Sequence, residues 1–431
     1  MRIPALLLAA ALAQAARAAE APPPRVLTLD EAVQTAVAHQ PQLAQARASA
    51  TAAGARADQA RADLLPQVNG QAQIFRRTTN GTTLGGASTG SFDTQNQFSF
   101  TASANQLVWD FGQTTGRWTA ARRSADAERE SARESELTTV LDVRTAFFQA
   151  RAARDLAQVA RATLQNQQAH LAQIDAFVKI GTRPPIDLAT ARTSVANAQV
   201  QLVQAENNYA TGRARLNQAM GVEGPLDYEV ASDTLLPVDG EDATADVLLD
   251  EALRDRPDLA AALRRLEAAD SSLGSARGGY FPALSVGASA TDVGTDAPDL
   301  RRTWNVAFGA TLTVPIFEGG RTRAQVAEAA ANVTVATSQR DTLRQQIRVD
   351  LENARLTVRA AKTSLDASRD ALDNAREQLR LAEGRYRTGA GSALELSDAQ
   401  LAATNAEAQQ VNAEYQLASA RAQLLAALGR R

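Results

Sequence analysis

One pattern occurs twice along the chain, and this duplication limits the possible folds more than any other feature. The matched landmarks are Pro41 with Pro257, Pro66 with Pro282, Gly181 with Gly389, and Gly221 with Gly429. The proline pairs are offset by 216 residues and the glycine pairs by 208, so the second copy lacks eight residues. The loops predicted at 78–94 and 292–300 differ by that number. We therefore predict two structural repeats, 19–221 and 247–431, joined by a linker over 222–246.

Each repeat contains two segments in which apolar and polar residues alternate, as in a β-strand with two different faces. The predicted strands cover about 66–78 and 95–109 in repeat 1, and about 282–291 and 302–314 in repeat 2. Their length suits a tilted bilayer crossing with the apolar side facing lipid. A half-buried sheet of a soluble protein alternates in the same way. The alternation by itself therefore leaves both interpretations open.

Aromatic residues concentrate around these strands. Of the 19 aromatic residues, eleven lie in 66–112 and 280–318. Those near strand ends are Trp109, Phe111, Tyr280, Phe281 and Phe317. Aromatic side chains at the ends of lipid-facing strands form belts at the membrane–water interface. Together with the absence of charge from 94–109 and 303–317, this placement favours the membrane interpretation and predicts these five as interface aromatics.

The N-terminal segment has the pattern of an export signal. Arg2 precedes an apolar stretch from Ile3 to Ala13, and Ala16-Arg17-Ala18 fits a cleavage site. We therefore expect residues 1–18 to be a signal peptide. No other stretch is apolar enough to be a transmembrane helix, so a membrane-inserted form of this chain must use its strands.

The composition excludes several functional classes. The chain has no cysteine and two histidines, which leaves little material for zinc sites, thiol chemistry or histidine acid–base catalysis. A formal net charge of −3 gives no general basic surface for nucleic acid. We expect no catalytic site, no cofactor and no metal site, and no nucleic-acid partner.

The rest of the sequence predicts long helices. Proline is absent from 113–178 and from 318–387. Between Leu351 and Tyr386, buried-type residues recur in steps of three and four over five heptads, and every second one is Ala or Ser. This pattern is typical of a left-handed coiled coil with closely approaching backbones. We expect antiparallel pairs in which each long helix is backed by two shorter ones.

Four strands cannot close a membrane barrel, because lipid tolerates no open sheet edge. Two chains would supply eight strands and three would supply twelve, and only the larger barrel leaves room for an open channel. The sequence therefore predicts an α+β membrane protein that oligomerises, with a duct requiring three chains.

Short motifs in a fixed order, spread over both repeats, are similar to those of the TolC-like outer-membrane efflux proteins. They are Leu29-Asp30-Glu31-Ala32, Gln40-Pro41, Leu64-Leu65-Pro66, Val314-Pro315-Ile316-Phe317-Glu318-Gly319-Gly320 and Arg385-Tyr386-Arg387-Thr388-Gly389. The resemblance implies a homotrimer in the cell outer membrane, with a 12-stranded transmembrane β-barrel and a periplasmic α-barrel of coiled-coil helices. It also implies a passive exit duct of a tripartite efflux or type I secretion system. A periplasmic adaptor (membrane fusion) protein would connect this duct to the inner-membrane pump that drives it.

The resemblance also implies a gate at the turns marked by Gly181 and Gly389. The paired gate carboxylates of the family fall on Glu395 and Asp398, and its closing hydrogen-bond network falls on Tyr386 and Asp187. An arginine of that network would fall on Gly391, so one link is missing, and Pro184-Pro185 stiffens the first turn. Glu395 and Asp398 share one helix face. Acids are also common at helix N-termini for electrostatic reasons alone, so a purely structural role stays open.

A protein of a different class shares several of these features. A soluble periplasmic coiled-coil adaptor or structural spacer would have the same export signal and helices but no membrane strands. Within the channel class, drugs, metals or secreted proteins would be compatible with the same duct.

Overall fold

The computed structural model describes residues 25–80, 92–225, 227–295 and 301–431. The predicted signal peptide lies outside these ranges, as do residues 81–91 and 296–300 of the two predicted strand loops. In the described residues the chain forms eight helices and six strands. In chain order they are β1 (Arg25–Leu27), α1 (Leu29–His39), α2 (Pro41–Ala62), β2 (Gln67–Asn80), β3 (Phe92–Trp109), α3 (Gln113–Lys179), α4 (Pro185–Met220), β4 (Tyr228–Val230), α5 (Ala245–Asp255), α6 (Pro257–Gly278), β5 (Ala283–Thr295), β6 (Arg301–Thr313), α7 (Arg321–Arg387) and α8 (Ala393–Ala427).

The order of these elements confirms two internal repeats. Two helices, two strands, one very long helix and one shorter helix occur first as α1 to α4 and again as α5 to α8. The long helices α3 and α7 each have 67 residues, which corresponds to about 100 Å of helix. The repeat boundaries at 19–221 and 247–431, and the cleavage site, remain predictions.

The chain divides into two compact units, and each draws on both repeats. Of the described residues, unit 1 contains those up to Ala44 together with those in Ser135–Asp255 and Ile347–Arg431, and unit 2 contains those in Gln45–Glu134 and Arg256–Gln346. The long helices contribute residues to both units.

In the core of unit 1, the segment predicted as a linker, 222–246, packs against the helices. β1 pairs in parallel with β4 through Val26 and Glu229. Phe147 and Phe148 of α3 are fully buried in the same cluster as Val230 of β4. The segment predicted as a linker is therefore anchored by a small sheet that packs on the long helix.

The predicted coiled-coil seam of α7 is buried in unit 1. Ten of its eleven positions from Leu351 to Tyr386 are buried, and Leu379 is half-buried. Leu372 and Ala375 pack with Ala403 and Ala406 of α8, whereas Ala382 and Tyr386 further along α7 pack with Leu396 and Ala399, so the two helices are antiparallel. The same arrangement occurs in repeat 1, where Leu164 of α3 packs on residues of α4.

Unit 2 contains a four-stranded antiparallel sheet in the order β2-β3-β5-β6. Gln67 pairs with Asn105 in the first hairpin, and their repeat equivalents Ala283 and Thr313 pair in the second. The first of these pairs spans 38 residues and the second spans 30. The eight-residue difference between the repeats therefore lies inside the hairpin, at its loop end.

Candidate functional site

The two turns at the ends of the long helices have the same backbone geometry. Gly181 and Gly389 both adopt φ 79°, in the left-handed region where glycine carries no steric penalty. The Gly181 N–H donates to Val178 O and the Thr182 N–H to Phe177 O. The equivalent bonds in repeat 2 are donated by Gly389 and Ala390. Each long helix therefore ends in a Schellman motif that reverses the chain within a few residues.

The helices that follow these turns begin differently. Ser392 caps α8, and its hydroxyl accepts from the Glu395 N–H at 3.1 Å. Its repeat equivalent is Pro184, which caps α4 without a side-chain bond. Glu395 thus occupies a position at which an acid stabilises a helix N-terminus. Its backbone N–H takes part in the helix cap, which is the purely structural role that the sequence left open.

The two predicted gate carboxylates have different surroundings. Glu395 Oε1 lies 2.8 Å from Arg385 NH1, so part of its charge is balanced within the same turn. Asp398 is exposed one helical turn later, and the described residues place no cation in ion-pair contact with it. Of the two, Asp398 presents the less compensated negative charge.

Tyr386 is the most buried of the predicted gate residues. It is 5% exposed and packs on Leu396 and Ala399 of α8. Its hydroxyl has no hydrogen-bond partner among the described residues of the single chain, and its role with Asp187 in a closing hydrogen-bond network stays a prediction. Asp187 is half-buried at the start of α4.

Two residues that the sequence did not single out as gate residues contact the Tyr386 ring instead. The Arg183 guanidinium carbon lies 4.7 Å from the ring centroid. The His170 ring lies 5.5 Å away in an edge-to-face arrangement. Burial lowers the pKa of His170 below its usual value, which keeps the imidazole neutral at neutral pH. Arg183 could have been found from the repeat, because it is the 208-offset equivalent of Gly391, where the resemblance expects an arginine.

The sheet of unit 2 forms a second candidate site, because its two faces differ in chemistry. Residues that pair across antiparallel strands share a face, and the register puts most of the apolar residues of the four strands on one face. Phe98 and Phe100 of β3 lie on the same face as Val306 and Phe308 of β6. Phe308 is 83% exposed in the single chain. The opposite face presents Asn, Gln, Ser and Thr, including Asn69, Gln71, Ser99, Thr101, Ser103, Ser289, Thr291 and Thr303.

The ends of the apolar face are chemically distinct. Arg76 and the ion pair between Asp292 and Arg302 lie toward the loop end of the strands. The helix end carries aromatic side chains: Phe111 stacks on Phe281 at 4.9 Å between ring centroids, and Trp109 meets Phe111 edge-on at 6.0 Å. Tyr280 and Phe317 are exposed at the same end. An apolar band between an aromatic belt and charged residues matches the profile of a bilayer.

Other kinds of site find no support in the part of the chain that the structure describes. No group of three or more His, Asp or Glu residues is placed to hold a metal ion within those ranges. None of the described helices combines the length and the apolar character needed to cross a membrane.

The family assignment follows from comparison with known proteins. The model of the outer membrane efflux protein family matches residues 32–222 and 248–430, which together are most of the chain. The chain belongs to this family. The TolC-like resemblance, the outer-membrane location and the fold class are thereby confirmed, and the family is one of transport ducts rather than enzymes.

Individual relatives are more distant. The solvent efflux pump outer membrane protein SrpC of Pseudomonas putida is 31% identical over 220 residues, which are 49% of this chain and 45% of SrpC. The pyoverdine export outer membrane protein OpmQ of Pseudomonas putida is 29% identical over 313 residues, 70% of this chain and 64% of OpmQ. The matched region thus spans about half the length of the first of these curated relatives.

The solved structures share the fold at low sequence identity. The CmeC outer membrane channel of Campylobacter jejuni superimposes with a TM-score of 0.81 at 19% identity, over 93% of this chain and 85% of CmeC. This similarity shows that the two chains share one fold over nearly the whole of this chain.

Proposed function

We propose that this chain is the protomer of an outer-membrane exit duct. Three copies would join their sheets into one twelve-stranded barrel, and their long helices would continue the passage into the periplasm. The observation that carries the proposal is the sheet of unit 2, which has one apolar face, one polar face and two edge strands, β2 and β6, with no outer neighbour among the described residues.

The open edges require a partner in lipid. Each backbone N–H or C=O left unpaired in hydrocarbon costs several kcal/mol. Strand direction alternates along β2, β3, β5 and β6, so β6 of one copy meets β2 of the next in an antiparallel pair. Three copies close a ring wide enough for a lumen, and the polar face then lines water.

We further propose that the duct is passive and works with a periplasmic adaptor and an inner-membrane pump. Family membership supports this assembly. The names of the relatives refer to different cargoes, solvents for SrpC and pyoverdine for OpmQ, which is consistent with a pump that selects the cargo and a duct that does not.

Conductance in a planar lipid bilayer tests the duct directly. We expect detergent-purified protein to give discrete current steps, and membranes that contain it to release it with detergent but not with high salt. A soluble periplasmic adaptor or spacer would instead wash off with salt and give no steps. That combination would reject the channel in favour of the spacer.

We also propose that Glu395 and Asp398 make the turn end of the duct selective for cations. Three copies would place six carboxylates near one constriction, an arrangement that favours cations. Because Glu395 is paired with Arg385 and Asp398 is exposed, Asp398→Asn should weaken the cation preference more than Glu395→Gln. The double Ala variant should weaken it most.

Reversal potentials in a salt gradient measure this preference. Asp370→Asn, which removes an exposed acid elsewhere on α7, is the matched control and should leave the reversal potential unchanged. A double variant with wild-type selectivity would exclude both carboxylates from the selective region.

A further inference from the structure

The charged residues of the sheet in unit 2 are confined to the loop end of its strands. The sequence of β2, β3, β5 and β6 is otherwise free of charge. The charged strand residues are Arg76, Arg77, Asp93, Asp292, Arg301 and Arg302. Four arginines and two aspartates leave a formal charge of +2 per chain at this end.

Two of these arginines lie on the apolar face. Arg302 pairs with Gly294, which pairs in turn with Phe98. Arg76 shares a face with Ile74, because residues two apart along a strand point the same way, and Ile74 also pairs with Phe98. A face that otherwise suits lipid therefore ends in two positive charges.

The depth of Arg302 follows from the length of the strand. From Arg302 to Leu312 the chain of β6 rises about 34 Å, which is about 26 Å along the membrane normal at a tilt of about 40°. The apolar band of a membrane barrel is about 25 Å tall. Arg302 is therefore placed where hydrocarbon gives way to lipid headgroups. Trp304, the next residue on this face, is 79% exposed, as expected for an aromatic residue at the membrane interface.

Both arginines have donors available for a ligand. Arg76 is exposed, and no described residue makes a hydrogen bond or an ion pair with it. The Arg302 side chain is 71% exposed, and its Nε donates to the two Asp292 oxygens at 2.8 and 3.0 Å. Its NH2 nitrogen also donates to Asp292, whereas no acceptor among the described residues contacts NH1. Because Asp292 lies one strand position nearer the middle of the sheet, it holds this guanidinium at the headgroup level with NH1 unused.

Closure of the proposed barrel would bring these arginines together from different copies. Within one chain they occupy the two edge strands, β2 and β6, which are three strand spacings or about 14 Å apart. In the proposed ring, β6 of one copy lies beside β2 of the next, at a spacing of about 4.8 Å. Arg302 of one copy and Arg76 of the next then lie on adjacent strands, on the same face and near the same end.

The chemistry of this pair selects a phosphate group. A guanidinium presents a planar fork of N–H donors that matches two oxygens of one phosphate. The loop end is opposite the periplasmic helices, so it meets the outer leaflet of the outer membrane. We propose that Arg302 of one copy and Arg76 of the next bind the phosphorylated headgroup of an outer-leaflet lipid, giving three such sites around the barrel. The acyl chains of that lipid would lie on the apolar face, along Trp304 and Phe308. The proposal rests on the proposed exit duct.

Native mass spectrometry of the detergent-purified oligomer, titrated with lipid A, tests the site. Lipid A is the probe because it carries phosphate groups and acyl chains together. We expect wild type to bind up to three molecules per trimer. Arg76→Gln and Arg302→Gln should each weaken binding by roughly 10- to 100-fold, the range for losing hydrogen bonds between charged groups. Arg302→Lys keeps the charge but not the fork, so its affinity should lie between those of Arg302→Gln and wild type.

The matched control is Arg277→Gln, which removes an exposed arginine at the end of α6, near the helix end of the sheet. This variant should bind lipid A like wild type. Inorganic phosphate at the same concentration should not displace lipid A, and zwitterionic phosphatidylethanolamine should bind more weakly. Displacement by inorganic phosphate would show a simple anion site, and equal binding of phosphatidylethanolamine would show a general lipid surface. Either result would overturn the proposed site.

The number of bound lipids tests whether two copies share each site. If either single variant weakens all three bound lipids together, the two arginines act on the same site. If each variant instead removes only part of the bound lipid and leaves the rest at wild-type affinity, the arginines act separately and the shared site is wrong.

Conductance separates failure of the lipid site from failure of the channel. A trimer that conducts and binds lipid A equally well in wild type and in both Gln variants would overturn the lipid site alone. A monomer that never conducts would reject the channel, and with it any site shared between copies.

Discussion

Phe111 occupies a backbone conformation that its side chain disfavours. Its φ is 55°, and it is followed by Gly112 at 84°. In repeat 2 the equivalent pair is Gly319 and Gly320, at 63° and 87°. Both strand-to-helix junctions therefore need two consecutive left-handed residues, and only the first places a non-glycine residue there. The ring that this residue supplies stacks on Phe281 at the aromatic end of the sheet.

Two substitutions separate the backbone cost from the contribution of the ring. Phe111→Ala loses the stacking, worth about 0.5–1.5 kcal/mol, and keeps the left-handed strain, so it should be less stable than wild type. Phe111→Gly loses the same stacking but relieves strain of about 1–2 kcal/mol. We expect the Gly variant to exceed the Ala variant by about 1 kcal/mol in the free energy of unfolding, measured by urea titration in detergent. Equal values would mean that this junction is not strained.

For single residues, the sequence predicted positions along the chain better than side-chain contacts. Tyr386 was identifiable because it is the last residue of a heptad series, and its burial follows from that periodicity. Arg183 lies in a turn, where no period relates a residue to its neighbours, and its partner is about 200 residues away in the chain. The ion pair between Arg385 and Glu395 depends on the side-chain conformations within a turn, which the sequence pattern does not specify.

Among the elements, the linker is attached to α7 and α8 by a buried carboxylate. The Glu241 side chain is 5% exposed, and its oxygens accept from Arg421 Nε at 3.0 Å and lie 2.7 Å from Lys362 Nζ. Burial alone would raise its pKa. The hydrogen bonds from Arg421, Lys362 and the Val238 N–H outweigh burial, however, and hold the pKa of Glu241 below its usual value. The charged form is therefore the stable form in the folded chain.

Removing this charge should destabilise the folded protein in a pH-dependent way. Glu241→Gln leaves Arg421 with one fewer partner, and breaking a buried pair costs about 3–5 kcal/mol; we expect the low end because Lys362 keeps Asp242. A carboxylate with a lowered pKa stabilises the fold above pH 4.5, its unperturbed value, and this contribution is lost as the pH falls through the folded-state pKa. The variant should therefore melt below wild type at pH 7, and the difference should shrink below pH 4.5.

Asp242 provides the matched control, because it contacts the same lysine at 2.8 Å but is 83% exposed. An exposed pair contributes at most about 1 kcal/mol, so Asp242→Asn should shift the thermal midpoint, followed by circular dichroism, far less. Equal shifts for the two variants would show that burial of Glu241 does not matter.

The elements themselves were largely predictable, because each rests on a local pattern. The helix from Gln113 and the turns at Gly181 and Gly389 follow from the absence of proline and from the need for a left-handed residue. The pairing of β3 with β5 could not be read from either hairpin, since it joins strands from different repeats. The Phe98 ring lies over Gly294 across the same strand pair, and the sequence did not predict this contact either.

For the molecule as a whole, the proposed barrel requires the apolar face of the sheet to meet lipid and the polar face to line the lumen. The register places Phe308 midway along β6 on the apolar face and Ala307 on the polar face. Both are exposed in the single chain, so neither substitution should disturb packing within one protomer. Any difference between them must come from the surroundings of the assembled sheet.

Phe308→Lys and Ala307→Lys therefore form a matched pair. If the apolar face meets lipid, Phe308→Lys places a charge near the bilayer midplane at a cost of about 2–4 kcal/mol, repeated in every chain of the assembly. The Ala307→Lys charge would face water in the lumen and cost little. We expect Phe308→Lys to reduce the detergent-extractable, oligomeric fraction of the outer membrane strongly, and Ala307→Lys to leave it near wild type. The reverse order would place the polar face against lipid, and no loss in either variant would mean that this sheet does not cross the membrane.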